Sequence, residues 1–169
     1  MAGSGNNSKL FDPRSLPDAS GLCFGIVVTE WNNGITSKLL DGALSILKKA
    51  GASHQLITVP GAFEITSGAV LIASRYKLNG VICLGCVIRG ETTHYDSICQ
   101  SVTQGLTYLN ASSPIPFIFG VLTTENEQQA LDRCGGKHGH KGEEAAITAI
   151  KMAILKRDFG KESKIGFQS

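Results

Sequence analysis

The chain lacks any apolar run near the roughly 20 residues that a bilayer crossing needs, so a membrane-spanning role is not expected. It also lacks a strong charge of either sign. Sixteen Lys and Arg oppose fourteen Asp and Glu, leaving a formal +2, too little to build the field that draws nucleic acid to a surface. Any anion must be recognised locally. Cysteine is sparse and odd in number: five residues, at 23, 83, 86, 99 and 134, do not form the dense even set of a stapled secreted domain. A reducing compartment, the cytoplasm, is the expectation. There is a single tryptophan, Trp31.

The first twenty residues, MAGSGNNSKLFDPRSLPDAS, have neither the apolar centre of a secretory signal nor the Arg bias of a transit peptide. Their Gly, Asn, Ser and Pro content reads as a flexible arm over 1–20, with a plastid location still compatible if that arm is processed. The 169 residues suit one domain, since domains run to about 100–200 residues. The expected division is an arm over 1–20, one domain over 21–158 and a tail over 159–169.

Apolar runs rich in Val, Ile and Phe stand at 22–29, 55–59, 80–88 and 115–123. With little alternation, they read as parallel strands covered on both faces. Between them lie helical patterns. Leu40, Leu44 and Leu47 recur at helical spacing ahead of Lys48, Lys49 and Gly51, a basic last turn and a stop. Further helices are expected over 63–76, 93–109, 125–133 and 142–158. Repeated β-α units with right-handed crossovers predict a flavodoxin-like three-layer α/β/α sandwich around a four-stranded parallel sheet of order 2-1-3-4.

Cys83 and Cys86 look like a redox or metal pair, but they fall inside the run GVICLGCVI. Along a strand, side chains three residues apart face opposite sides, with Cα atoms about 10 Å apart. Packed core thiols are the expectation.

In such a sheet ligands bind beyond the carboxyl ends of the strands, and each exit carries residues a core does not need. The first places Trp31 in a turn with Asn32, Asn33 and Gly34, where an aromatic can cover the sheet edge or stack on a heteroaromatic ring. The second is VPGAFEI: Pro60 and Gly61 turn the chain, and amides near Ala62 could read a planar ligand bordered by Phe63. Glu64 fits a helix's first turn. The third is GCVIRGETTHYD. A turn at Gly90 and an N-cap at Thr92 or Thr93 would leave unpaired amides aimed outward, the usual seat of a phosphate. His94 would stand beside that anion, and imidazole ordinarily titrates close enough to neutrality to shuttle protons. Arg133, in DRCGGKHGHKGEE, could add a bidentate grip on phosphate. The H-x-H of His138 and His140 supplies too few ligands for a metal, and none is expected.

Taken together, GIVVTEWNNGITSKLLDGA, VPGAFEI, GCVIRGETTHYD, FGVLTTEN and ALDRCGGKHGHKGEEAA, in this order, resemble the lumazine synthase family from about Leu22 to Asp158. The resemblance implies a transferase of riboflavin biosynthesis, without cofactor. It would condense 5-amino-6-(D-ribitylamino)uracil with 3,4-dihydroxy-2-butanone 4-phosphate to 6,7-dimethyl-8-ribityllumazine, releasing phosphate and water. It implies a stacking role for Trp31 and pyrimidine and ribityl contacts from Gly61, Ala62, Phe63 and Glu64. Val87 and Ile88 become further substrate-binding positions, Glu91 and Thr92 phosphate-binding amides, and His94 the proton carrier. Arg133 binds the phosphate, Lys141 lies near it, and Glu144 orients the arginine. Phe119 and the Arg133 segment would reach the site from a neighbouring subunit. A homopentamer is thus implied, with an icosahedral capsid of pentamers as the larger form and riboflavin synthase as a further partner.

Overall fold

The computed structural model describes residues 11–12 and 15–162. Its centre is a parallel sheet of order β2-β1-β3-β4, as the sequence predicts. The strands are β1 (Cys23–Thr29), β2 (Ser53–Val59), β3 (Gly80–Ile88) and β4 (Phe117–Thr124). Crossovers run through α1 (Asn33–Lys49), α2 (Ile65–Arg75) and α3 (His94–Ser112). After β4 come α4 (Glu127–Asp132), a short antiparallel pair of β5 (Cys134–Gly136) and β6 (Gly139–His140), and α5 (Lys141–Glu162).

The period-two geometry of the strands divides the core into two layers. Phe24, Ile26, Val28, Ile82, Leu84 and Cys86 pack under α1 and α5 with Leu39, Ile46, Ile147 and Ile150. On the other face Val27, Val81, Cys83, Phe117 and Val121 meet Ile65, Ile72, Val102 and Leu106 from α2 and α3. Cys83 and Cys86 therefore lie in different layers, both as free thiols. Burial pushes each up to about 12, because desolvation penalises the thiolate.

Two close approaches set the helix positions. A Cβ on Gly68 of α2 would lie 2.7 Å from Val59 Cγ1 and 3.0 Å from Val27 Cγ1. A Cβ on Gly142 of α5 would run into the Leu39 carbonyl of α1. Backbone cannot yield as a side chain can, so α1 and α5 cross this closely only because residue 142 has no side chain.

Several boundaries differ from the sequence reading. β2 alternates between exposed and partly buried residues, leaving Leu56 43% exposed, because it is an edge strand covered chiefly on one face. The helix expected over 63–76 opens as a 3₁₀ turn, Ala62–Glu64. The β5-β6 pair forms between the helices expected over 125–133 and 142–158, where no strand is expected. Of the arm expected over 1–20, residues 1–10 and 13–14 lie outside the described residues. Ala19 is fully buried, and its N–H donates to the Ala50 carbonyl at 2.8 Å. α5 runs on to Glu162; residues 163–169 of the expected tail lie outside the described residues.

Candidate active site

The carboxyl ends of β1, β2 and β3 open onto a cavity of about 650 Å³. Its lining includes Trp31, Gly61, Ala62, Phe63, Glu64, Val87, Ile88, Thr92 and His94. Three strand exits read separately from the sequence thus meet at one hollow, as the strand-end rule for parallel sheets requires.

Each exit is fixed by its own contacts. At the end of β1, the Trp31 N–H donates to the Pro60 carbonyl at 3.1 Å and the Thr29 hydroxyl to the Trp31 carbonyl at 3.3 Å. The next residue, Asn32, has left-handed backbone, φ 60°, a conformation asparagine tolerates better than most residues. Its Nδ2 donates to the Cys86 carbonyl at 2.9 Å, locking the turn to β3. The backbone around Trp31 is thereby held on two sides while the residue stays 73% exposed. Such a ring is available for stacking.

At the end of β2, Gly61 is extended and the 3₁₀ turn follows. Phe63 projects beside the cavity with 59% of its surface exposed. At the end of β3, Arg89 N–H donates to the Thr124 carbonyl at 2.8 Å, and the chain turns through Gly90 into α3. Thr93 occupies the N-cap without a side-chain cap bond. Thr92 serves instead, its hydroxyl accepting from the His94 N–H at 3.4 Å. Gly90 is not in the left-handed region, and a Cβ there would meet nothing within 4 Å. Its lack of a side chain leaves space at the cavity wall and is not forced by backbone strain. Ahead of the Asp96 N–H, which donates to the Thr93 carbonyl at 3.1 Å, the amides at the start of α3 have no earlier helical carbonyl to bond by position, and they border the hollow that Thr92, His94 and Tyr95 line.

Sequence reading overlooked Asn32, Cys86, Gly90, Tyr95, Ser97 and Ile98 in this lining. A signal existed for part of the set: Ser97 and Ile98 follow His94 by three and four residues, the spacing that shares a helix face. Glu91 is exposed and does not line the cavity.

Arg89 was also overlooked. Its Nη1 and Nη2 donate to the Asp96 carboxylate at 3.3 and 3.0 Å, and its Nε lies 2.8 Å from Glu125 Oε2. Its guanidinium carbon sits 4.0 Å from the centroid of the Tyr95 ring. The hydrogen bonds it donates to Asp96 and then to Glu125 raise its already high pKa further.

Phe119, Arg133, Lys141 and Glu144 stand away from this cavity in the same chain. Phe119 packs, partly buried, with the layer under α2 and α3. The β5-β6 hairpin folds the other three together: Lys141 N–H donates to the Arg133 carbonyl at 2.8 Å. Arg133 then forks onto Glu144, Nη1 to Oε1 and Nη2 to Oε2, each at 3.0 Å. Lys141 Nζ approaches the same carboxylate at 3.7 Å, and Arg133 also donates to the His138 carbonyl. His138 is exposed, whereas the His140 ring lies against Gly42 of α1. Among the described residues no group of three or more His, Cys, Asp or Glu is placed to hold a metal.

Comparison with known proteins gives one family. The model of the 6,7-dimethyl-8-ribityllumazine synthase family matches residues 21–157. A protein of that name from Parabacteroides distasonis is 53% identical over 155 residues, covering 90% of this chain and 97% of its own. One from Phocaeicola vulgatus is 49% identical over 164 residues, covering 95% and 98%. A third, from Flavobacterium psychrophilum, is 45% identical over 170 residues, covering 99% and 88%. The fold, the strand-end cavity and these matches lead to one conclusion: the chain belongs to the 6,7-dimethyl-8-ribityllumazine synthase family.

Proposed function

We propose that this chain condenses 5-amino-6-(D-ribitylamino)uracil with 3,4-dihydroxy-2-butanone 4-phosphate, forming 6,7-dimethyl-8-ribityllumazine and releasing phosphate and water. The observation that carries the reading is the convergence of Trp31, the 61–64 turn and His94 on one cavity. A flat pyrimidine needs a stacking face and amides that read its edge, which Trp31 and the turn at Ala62 and Phe63 supply. The phosphate needs amide dipoles, which the loop entering α3 would supply at Glu91 and Thr92, as the family resemblance implies.

The pyrimidine's 5-amine attacks the ketone and water leaves to give an imine. Loss of the C3 proton then expels phosphate from C4, the resulting enol becomes a ketone, and the ribitylamino nitrogen closes the ring on that ketone with loss of a second water. Each stage moves a proton at an atom near the phosphate, which is the work assigned to His94. Most of the rate comes from holding two small reactants together, worth up to about 7–11 kcal/mol in well-oriented systems.

Among the described residues the cavity lining contains no Lys or Arg, so a phosphate held at the start of α3 has no cation beside it from this set of residues. Arg133, forked on Glu144 and flanked by Lys141, is the group to supply one from an adjacent copy of the chain, together with Phe119. A site shared between copies fits the homopentamer that the family resemblance implies, and an icosahedral shell of pentamers and an association with riboflavin synthase extend the same reading. All five cysteines are free thiols, in keeping with the cytoplasm.

The test is incubation of the pure protein with both substrates while lumazine fluorescence and phosphate release are followed together. The reading expects both signals to rise in step, each requiring both substrates. Absence of the lumazine signal overturns it.

A further inference from the structure

We infer that Arg89 is a positioning residue: it clamps the 90–94 loop so that the start of α3 presents its amides and His94 to the phosphate of the substrate. This rests on the reaction proposed above and adds a part to its phosphate site.

The loop has one anchor on each side. Residue 89 ends the pairing of β3 with β4, its N–H held by Thr124. Residues 95 and 96 lie in the first turn of α3. Arg89 closes the loop between them by gripping Asp96 with its fork and covering the Tyr95 ring with its planar face. Tyr95 itself lines the cavity, so the clamp acts on the cavity wall directly. The third contact, Nε to Glu125, ties the assembly to the exit of β4. One side chain thus joins the ends of two strands to the start of one helix.

The same contacts rule Arg89 out as the phosphate ligand. Its fork, its Nε and one planar face are already engaged, and it does not line the cavity. Its electrostatic effect is indirect. Asp96 sits in the first turn of α3, where an unpaired carboxylate would compete with phosphate for the helix's positive end. Paired with Arg89, that charge is offset.

The clamp lies at the surface, with the Arg89 side chain 37% and Asp96 60% exposed. Exposed ion pairs contribute little to global stability. A positioning role and a merely structural one therefore make different predictions. Lysine cannot fork onto one carboxylate while reaching a second and stacking, so Arg89→Lys keeps the charge and removes the geometry.

The experiment uses the assembled full-length protein, Arg89→Lys and Arg89→Gln. It measures kcat, KM for each substrate, the dissociation constant of inorganic phosphate, and the melting midpoint. Expected are a rise of about tenfold or more in the KM for the butanone phosphate and in the phosphate dissociation constant, an accompanying fall in kcat, and an unchanged KM for the pyrimidine. Arg89→Lys should melt close to wild type. Wild-type phosphate affinity in Arg89→Lys overturns the inference, and so does an equal rise in both KM values accompanied by a lower melting midpoint. The inorganic phosphate titration decides the clamp's role even if the wild-type protein makes no lumazine, so failure of the reaction and failure of the clamp are read separately.

Discussion

The Arg133 guanidinium and the Glu144 carboxylate meet as a parallel fork with both N···O distances at 3.0 Å. The side chains are only 29% and 19% exposed, so the arginine is held in one orientation by a partner from the first turn of α5. Charged hydrogen bonds are worth about 1.5–3 kcal/mol each, and a phosphate held by the guanidinium N–H groups that Glu144 and His138 leave over loses them together when the arginine is truncated. Arg133→Ala should raise the KM for the butanone phosphate by about a hundredfold, with the pyrimidine KM little changed. Glu144→Gln keeps one acceptor for the fork and should fall between Arg133→Ala and wild type. Steady-state kinetics with each substrate varied in turn measures both; unchanged affinity in Arg133→Ala contradicts the assignment.

His94 is exposed on the first turn of α3, beside the cavity. General acid–base catalysis supplies about 10²–10⁴-fold, less than the positioning of the two reactants. His94→Ala should therefore slow turnover within that range without abolishing it, in single-turnover assays at saturating substrates. An inert variant would mean that positioning contributes less than argued, and a fully active one would remove His94 from the chemistry.

Trp31 is the only tryptophan, so intrinsic emission reports one ring. With 73% of the residue exposed, the free protein should emit at long wavelength, and the lumazine product or riboflavin should quench that emission on binding. Trp31→Ala should weaken product binding roughly tenfold or more, the scale of one aromatic stack. Emission that ignores saturating ligand would place the ring outside the site.

The strands were legible because each apolar run is continuous, as a strand covered on both faces requires, and each gap is long enough for a crossover helix. Trp31, Phe63 and His94 were legible because strand ends in a parallel sheet are where unneeded chemistry stands out. Other parts depend on contacts that no local pattern reports. Arg89 finds one carboxylate in the next helix and another beyond β4, and neither spacing is periodic. Asn32 reads as a turn residue, and only the fold shows its amide reaching Cys86. The β5-β6 pair is too short, and too rich in glycine, for alternation to appear.

Cys83 and Cys86 bear on pH as well as on packing. Their thiols are raised to about 12 by burial, and the thiolate is the reacting form. Iodoacetamide at pH 8 should leave both unmodified in the native protein and label them after denaturation, as read by intact mass and peptide mapping. The unfolded thiols ionise near pH 9, at the ordinary value of 9.0, so between about 9 and 12 the unfolded state holds fewer protons than the folded one. Stability from this source therefore declines as pH rises through that window. Rapid native alkylation of Cys83 would contradict its burial.

The most direct test of a reaction centre shared between two copies of the chain is subunit mixing. His94→Ala and Arg133→Ala chains, unfolded and reassembled together, should recover activity above the mean of the two parents. Random assortment would give about one site in four an intact His94 from one chain and an intact Arg133 from its neighbour. Activity that stays at the parental mean in mixed assemblies would place both residues in the same chain's site and contradict the account.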